Sequence, residues 1–441
     1  MSSLSGETAA ADTGTVVSRS CRVDAVSYRG FLEANDAPRI HWADPDGLEL
    51  SGVGAAARVT ASGGERFDAV REWADDLLAE HDHGGPDVAR PRLLGGFSFL
   101  ADHEAGGSWP GFPPAEFVLP AVQLASAGDE TWLTVTRVDE DPAAVEDELE
   151  AARDRVESLP AMQPGGDAPG VEQTVPTPDA DAWRDQVGDV VDRIQAGNLR
   201  KVALATALRA DLAGDVESRN LLERLRQRYP ECFRFLVEPT DDAAFLGATP
   251  ERLATLRGDT VETTALAGSV GRGDTPEEDA ELVAQLREGE KLRHEQRLVT
   301  EDIADRLRAL GDVIIGDRGV RTLSNIQHLE TPIEADVGDD VHVLDVVEAL
   351  HPTPAVGGLP AVAALDTIRE TESFDRGWYA APVGWFDADG EGTFGVGIRS
   401  AVTAEREVTL FAGNGIVADS DPDEEYEEIQ LKYRPILDEL E

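Results

Sequence analysis

The sequence has little cysteine and no long hydrophobic run. Two cysteines, Cys21 and Cys232, are too few for a disulfide framework and are typical of a reducing compartment. No stretch approaches the roughly 18 apolar residues of a membrane-spanning helix, and the N-terminus lacks the basic and apolar regions of a signal peptide. We therefore expect a cytoplasmic protein with no membrane partner and with a flexible tail over residues 1–15.

Basic residues are also scarce. The 441 residues include 39 lysines and arginines against 87 aspartates and glutamates, which gives a formal net charge of −48. Because the acidic residues are spread along a chain that is 41% hydrophobic, the protein can still bury a core. The negative surface excludes nucleic acid as a partner. Salt at about 1 M shortens the Debye length to about 3 Å, so we interpret this surface as an adaptation to a salt-loaded cytoplasm.

Lysine is rare even among the basic residues. The chain has 36 arginines and three lysines, Lys201, Lys291 and Lys432. A buried ammonium group can lose its proton, whereas a guanidinium group cannot. We therefore expect a chemical reason for lysine at these positions.

The chain divides into two patterned regions. Residues 16–158 alternate short β-like runs with turns and helical stretches, and residues 179–441 contain longer strand pairs joined by hairpins, with helices between them. Residues 159–178 are rich in proline and glycine, which is typical of a linker. These patterns predict an α+β protein dominated by antiparallel sheet.

The last predicted helix carries a possible cation site. Glu425, Glu428 and Lys432 are spaced to share one helical face. Two carboxylates one turn apart repel by a few tenths of a kcal/mol, and a hard divalent cation would remove that repulsion. A solvated acidic helix explains the same spacing.

Three further candidates lie on other elements. Lys201 opens an apolar strand, where a half-buried lysine is either a snorkelling edge residue or a desolvated general base. Glu251 follows an apolar run. Its carboxylate either has a structural place, in a turn or at a helix cap, or is a functional group. Glu295 lies one helical turn after Lys291, and this pair by itself is an ordinary surface salt bridge.

Taken together, these segments resemble the chorismate-utilising enzymes, the family of isochorismate, anthranilate, aminodeoxychorismate and salicylate synthases. The close resemblance covers residues 180–440 and includes all three lysines, whereas the N-terminal region matches in its strand pattern and in residues 95–99. The nine motifs, in family order, are KVALA (201–205), LGATPERL (246–253), ALAGS (265–269), KLRHEQRLV (291–299), HLET (328–331), HPTPA (351–355), RGWY (376–379), GIRS (397–400) and FAGNGIV (411–417).

The resemblance implies a fold and a pair of catalytic groups. The fold is that of anthranilate synthase component I, a large, mainly antiparallel β-sheet sandwich with helices packed outside. Lys201 would be the general base that activates water for attack at C2 of chorismate, and Glu251 the general acid that protonates the departing C4 hydroxyl. Both roles need a dry site that disfavours the charged forms of these side chains.

The same resemblance implies a metal ion and a set of substrate contacts. Mg²⁺ would be bound directly by Glu295 and Glu428 and through water by Glu425. His328 would lie near the leaving hydroxyl. The residues implied to bind the substrate are Gly268, His328, Ala355, Arg399, Gly413 and Lys432.

Three positions favour one branch of the family. Lys201 stands where anthranilate synthases usually carry Gln, Ala267 where aminodeoxychorismate synthases carry a nucleophilic lysine, and Ala355 where salicylate synthases tend to carry Thr. The expected activity is therefore the isomerisation of chorismate to isochorismate, for menaquinone biosynthesis. The alternatives are a salicylate synthase, an anthranilate synthase component I and, outside enzymes, an acidic cation-binding protein. Monomer and homodimer both stay open.

Overall fold

The computed structural model describes residues 14–24, 26–160, 166–323 and 326–441. Almost all of the predicted tail at 1–15 lies outside these ranges, and so does the side chain of Lys291.

The described residues form 23 strands and ten α-helices. The strands are β1 Val16–Val23, β2 Arg39–Ala43, β3 Leu48–Val53, β4 Ala57–Ala61, β5 His81–Gly84, β6 Leu93–Phe97, β7 Ala115–Leu119, β8 Val122–Ala127, β9 Glu130–Val138, β10 Val171–Thr177, β11 Lys201–Leu212, β12 Phe233–Thr240, β13 Ala243–Thr249, β14 Arg252–Arg257, β15 Thr260–Gly271, β16 Gly311–Ile315, β17 Gly319–Thr322, β18 Ile326–Val337, β19 Gly358–Leu359, β20 Pro382–Phe386, β21 Gly392–Val396, β22 Ser400–Ala404 and β23 Glu407–Ile416. The helices are α1 Tyr28–Glu33, α2 Arg66–Leu78, α3 Pro142–Glu157, α4 Ala180–Gln195, α5 Ser218–Arg228, α6 Pro276–Glu288, α7 Glu290–Leu307, α8 Val343–Leu350, α9 Ala361–Thr371 and α10 Pro422–Leu437.

The strands form two sheets. The larger has 13 strands in the order β10-β11-β23-β22-β13-β12-β2-β3-β8-β9-β1-β5, with β19 beside β11. The smaller has ten strands in the order β16-β18-β15-β14-β21-β20-β6-β7-β4, with β17 beside β18. Every described strand pair except β1–β5 is antiparallel. The predicted α+β fold with mainly antiparallel sheet is confirmed.

Both sheets combine strands from the two regions of the sequence. In the larger sheet β12 pairs with β2, which places Leu236 opposite His41. In the smaller sheet β20 pairs with β6, which places Gly384 opposite Gly95. The two regions therefore complete each other's sheets.

The structure differs from the expected linker at 159–178. Within that segment, Val171–Thr177 form β10, which pairs with β11. β10 is the outermost strand of the larger sheet. A proline such as Pro176 is tolerated there because an edge strand pairs on one side and needs fewer backbone N–H donors. The proline and glycine content that predicted a linker is thus compatible with an edge strand.

The core lies between the sheets and under the helices. One continuous cluster of buried apolar side chains includes Trp42 and Phe245 of the larger sheet and Phe117 and Phe394 of the smaller. On the outer surfaces, α7 packs on β15 and β18, and α10 packs on β23 and α4. These two helices and their strands surround the cleft described next. None of the helices in the described ranges is long and apolar enough to cross a bilayer.

Candidate active site

A cleft of about 1030 Å³, counting its open mouth, lies between β11 and β23 of the larger sheet, β15 and β18 of the smaller sheet, and the helices α7 and α10. All eleven candidate residues from the sequence line it. They are Lys201, Glu251, Gly268, Glu295, His328, Ala355, Arg399, Gly413, Glu425, Glu428 and Lys432.

Lys201 is the most deeply buried charged group of the cleft. Its side chain is 1% exposed, and its Nζ donates to Glu295 Oε1 over 2.8 Å. β11 and α7 bring the two residues together. A buried ion pair of this kind holds both side chains in one geometry, and it is not the snorkelling arrangement that the sequence left open.

Gly415 makes room for this ion pair. A Cβ at this position would lie 2.7 Å from both Glu295 Oε1 and Lys201 Cε. Glycine inside a strand often marks a close approach of this type. The sequence places Gly415 in the FAGNGIV motif but contains no signal for this role, since the crowding comes from residues that are distant along the chain.

Glu251 lies between β13 and β14 and is buried, so it caps no helix. Burial raises the pKa of its carboxyl group to about 7, against the opposing charges of Lys201, Arg399 and Lys432. Near neutral pH a large fraction of Glu251 is therefore protonated. This protonation state suits a proton donor.

Arg399 is a buried arginine that makes no ion pair among the described residues. Its Nη2 donates to His328 Nε2 over 2.8 Å, while its Nη1 is buried without a hydrogen-bond partner in the described part of the chain. Burial lowers the pKa of the guanidinium group. The backbone φ of +49° places this non-glycine residue in the left-handed region, and such strain often accompanies functional sites. A ligand with acceptor oxygens would satisfy Nη1.

Lys432 and the acidic residues of α10 are held by β23. Lys432 Nζ donates to the backbone oxygen of Gly413 over 2.8 Å and to Asn414 Oδ1 over 2.6 Å, and it pairs with Glu428 at 2.9 Å. Asn414 Nδ2 in turn donates to Glu425 Oε2 over 2.9 Å. The face shared by these residues therefore points into the cleft and is not simply solvated.

The three carboxylates expected to bind Mg²⁺ all reach the cleft, but each contacts a protein group: Glu295 contacts Lys201, Glu428 contacts Lys432 and Glu425 contacts Asn414. Within the described ranges no group of three His, Cys, Asp or Glu side chains is arranged to hold a metal ion. The donor chemistry nevertheless fits, because Mg²⁺ takes carboxylate oxygens and keeps several of its waters.

A buried ion pair that sequence reasoning missed fixes one side of the cleft. Arg376 donates to the backbone oxygens of Val356, over 2.9 Å, and of Ala203, over 2.7 Å, and it pairs with Glu372. Glu372 Oε1 also accepts the backbone N–H of Ala205 over 2.8 Å. The pair therefore ties β11 to the loop that carries Ala355. Only the RGWY motif contained a signal for it.

An aromatic stack supports the floor of the cleft. Tyr379 stacks on Phe411 with ring centroids 5.3 Å apart, and Phe411 stacks on Trp109 at 5.2 Å. Trp109 belongs to the loop between β6 and β7, in the N-terminal region. Its contribution could not be read from the motifs, which lie almost entirely past residue 180.

Comparisons with known proteins show the family to which the chain belongs. The family model described as "chorismate binding enzyme" matches residues 4–441. The chain is 35% identical to a salicylate biosynthesis isochorismate synthase from Pseudomonas aeruginosa, over 97% of this chain and 90% of that protein. It is 33% identical to isochorismate synthase MenF from Bacillus subtilis, over 91% of this chain and 88% of that protein.

A solved structure has the same fold over almost the whole chain. MenF, the menaquinone-specific isochorismate synthase from Escherichia coli, superposes with a TM-score of 0.82 at 26% identity, covering 97% of this chain and 96% of that one. Because the family model spans nearly every residue, the chain belongs to the chorismate-binding enzymes.

Proposed function

We propose that this chain is an isochorismate synthase, which converts chorismate to isochorismate by adding water at C2 and losing the hydroxyl group at C4. The observation that carries the proposal is the pairing, in one cleft, of a buried lysine with a buried glutamic acid whose pKa is about 7. The names of the relatives from P. aeruginosa and B. subtilis support the same reaction. By analogy with the E. coli structure, we assign the product to menaquinone biosynthesis.

Lys201 serves as the general base. Once its amine is neutral, Nζ accepts a proton from water as the water oxygen attacks C2. The contact with Glu295 and the space at Gly415 fix the position of Nζ. Because Lys201 is buried, its position varies little during the attack.

Glu251 serves as the general acid. Its proton passes to the C4 oxygen, so that the hydroxyl group leaves as water when the C4–O bond breaks. Water enters at C2 and water leaves at C4, so the reaction is an isomerisation. Lys201 gains one proton and Glu251 loses one, and both return to their starting states by exchange with solvent.

Positive charge in the cleft compensates the carboxylates of the substrate. Arg399 and Lys432, together with the backbone around Gly268, Ala355 and Gly413, hold the substrate. Mg²⁺ held by Glu295 and Glu428, with Glu425 acting through water, would add positive charge next to a substrate carboxylate. Local cations are necessary because the whole chain, at −48, repels an anionic substrate.

The product assay tests the proposal. The purified protein is incubated with chorismate and Mg²⁺ in molar KCl, and the products are separated by chromatography. We expect isochorismate as the product. Salicylate with pyruvate would instead indicate a salicylate synthase, and anthranilate formed only with ammonia would indicate an anthranilate synthase.

A matched variant distinguishes an enzyme from an acidic cation-binding protein. We expect Lys201→Met to abolish turnover while circular dichroism shows the folded protein, since methionine fills the same buried space without an ammonium group. Turnover in this variant equal to that of the wild-type protein would contradict the assignment of Lys201 as the base.

A further inference from the structure

Arg399, His328 and Ser269 form a chain of hydrogen bonds along one wall of the cleft. Arg399 Nη2 donates to His328 Nε2 over 2.8 Å, and His328 Nδ1 lies 2.9 Å from Ser269 Oγ. A guanidinium group has donors only, so His328 Nε2 must be the acceptor. A neutral imidazole carries a single N–H, which is therefore on Nδ1 and points to Ser269.

The surroundings keep His328 neutral. Burial, followed by the positive charges of Arg399, Lys432 and Arg321, holds the pKa of the imidazole well below its usual value, while the backbone carbonyl of Gly268 acts weakly in the opposite direction. Both ring nitrogens are thus used within the protein. Neither is free to give a proton to a ligand in the cleft.

The guanidinium group of Arg399 has one end fixed and one end open. His328 binds Nη2, whereas Nη1 is buried and has no hydrogen-bond partner among the residues that the structure describes. A buried donor without an acceptor is unfavourable, and more so when it is charged. A carboxylate is the acceptor that a guanidinium group binds best.

We propose that His328 is a positioning residue, which aims Arg399 Nη1 at a carboxylate of the substrate through a neutral Nε2 acceptor, and that it donates no proton to the leaving hydroxyl group. The inference rests on the proposed function, since it takes chorismate as the ligand. It also leaves Glu251 as the proton donor, because that carboxyl group is buried in the cleft and has a pKa of about 7.

Two substitutions separate positioning from proton donation. His328→Leu removes the acceptor, whereas His328→Gln keeps an acceptor for Arg399 and a donor for Ser269. We expect His328→Leu to raise KM for chorismate about tenfold or more, since a hydrogen bond to a charged group is lost, with kcat changed less than about threefold. We expect His328→Gln to stay within about threefold of the wild-type KM.

A matched control accounts for the loss of a buried histidine. His41 is also buried, its Nδ1 lies 3.0 Å from Ser51 Oγ, and it does not line the cleft. We expect His41→Leu to leave KM unchanged, whatever its effect on stability. If both His328 variants lose kcat a hundredfold or more at unchanged KM, His328 acts in proton transfer and the proposal is wrong.

A spectroscopic measurement tests the tautomer without turnover. In protein labelled with ¹⁵N-histidine, with the His328→Gln protein used for assignment, we expect His328 to give the nitrogen shifts of a neutral imidazole protonated on Nδ1 from pH 6 to 8. A proton on Nε2, or an imidazolium in this range, overturns the proposal. If the wild-type protein makes no isochorismate, the proposed function fails, while this measurement still decides the state of His328.

Discussion

The carboxyl group of Glu251 couples the chemistry of the cleft to the stability of the protein. Its pKa is about 7 in the folded state against an ordinary value of 4.5, because the group is buried. Between these two pH values the folded protein binds more protons than the unfolded chain. The contribution of Glu251 to the free energy of unfolding is therefore largest below about pH 4.5 and falls as the pH rises to about 7. The folded protein therefore carries an unfavourable carboxylate at alkaline pH.

We predict that Glu251→Gln abolishes turnover but stabilises the protein at high pH. Glutamine is neutral at every pH and has the same shape, so the variant should exceed the wild-type stability by roughly 3 kcal/mol at pH 8 and match it near pH 4.5. Scanning calorimetry at both pH values measures the difference. Glu150→Gln, on the exposed part of α3, serves as the control and should not show this pH dependence. An equal change of Tm at both pH values for Glu251→Gln would contradict the prediction.

Gly415 offers a second test at the scale of one residue. Its missing side chain leaves space for the ends of Lys201 and Glu295, which would have to shift away from an added methyl group. We expect Gly415→Ala to lower kcat at least about tenfold through misplacement of the base, with a Tm change of a few degrees at most. Gly188→Ala, in α4, where nothing lies within 4 Å, should keep full activity. Full activity in Gly415→Ala would show that the close approach is unimportant.

At the scale of elements, the cleft is assembled by contacts that join β11 to the segment after α9. Arg376 and Glu372 are each 3% exposed, and every polar group they contact is a fixed part of the backbone or the other partner. A buried charge pair is stable as a pair, whereas removal of one partner leaves an uncompensated buried charge. The position of Lys201 at the start of β11 depends on this pair.

We predict that Arg376→Met destabilises the protein by about 3–5 kcal/mol, because Glu372 then stays buried without its partner. The double variant Arg376→Met with Glu372→Gln should recover part of the loss. Arg193→Met removes the exposed pair with Glu370 and should change stability by less than about 1 kcal/mol. Urea denaturation of the wild-type protein, of Arg376→Met, of Glu372→Gln, of the double variant and of Arg193→Met measures these differences. A double variant that is as unstable as the sum of both single changes would contradict the assigned coupling.

The elements also show which features a sequence can predict. Alternating strands and their hairpins predicted antiparallel sheets, and the eleven candidate residues, eight within the nine motifs and three on α10, all line one cleft. The features that were missed depend on partners far away in sequence. Strand β10 was hidden by Pro176 and by the proline-rich and glycine-rich residues around it, and the roles of Gly415 and Trp109 depend on contacts that no local pattern contains.

At the scale of the whole molecule, the charge of −48 dominates. Most acidic side chains lie in the solvated surface, and their mutual repulsion opposes the compact state. Four carboxylates line the cleft together with the four cations Lys201, Arg376, Arg399 and Lys432, so the cleft lacks the acidic excess of the chain as a whole. Salt that screens the repulsion between surface carboxylates should therefore stabilise the fold without removing the positive charges that bind the substrate.

We predict that Tm rises by about 10 °C or more between 0.1 and 2 M KCl, because salt shortens the Debye length from about 10 Å to less than 3 Å. Differential scanning fluorimetry across a salt series measures the change. Sucrose is uncharged and stabilises proteins because it is excluded from their surface. It therefore serves as the control for stabilisation that does not depend on charge screening. A Tm that does not depend on KCl would contradict the interpretation of the surface as salt-adapted.

The interleaving of the two sheets has a consequence for how the chain is made. β2 pairs with β12, and β6 pairs with β20, so the N-terminal strands leave the ribosome long before their neighbours exist. At roughly 5–20 residues per second, the roughly 200 residues between β2 and β12 take about 10–40 s to synthesise. During that interval the early strands carry open edges that can pair with other chains. Successful folding of this protein in the cell therefore depends on shielding its first half until the second half has been translated.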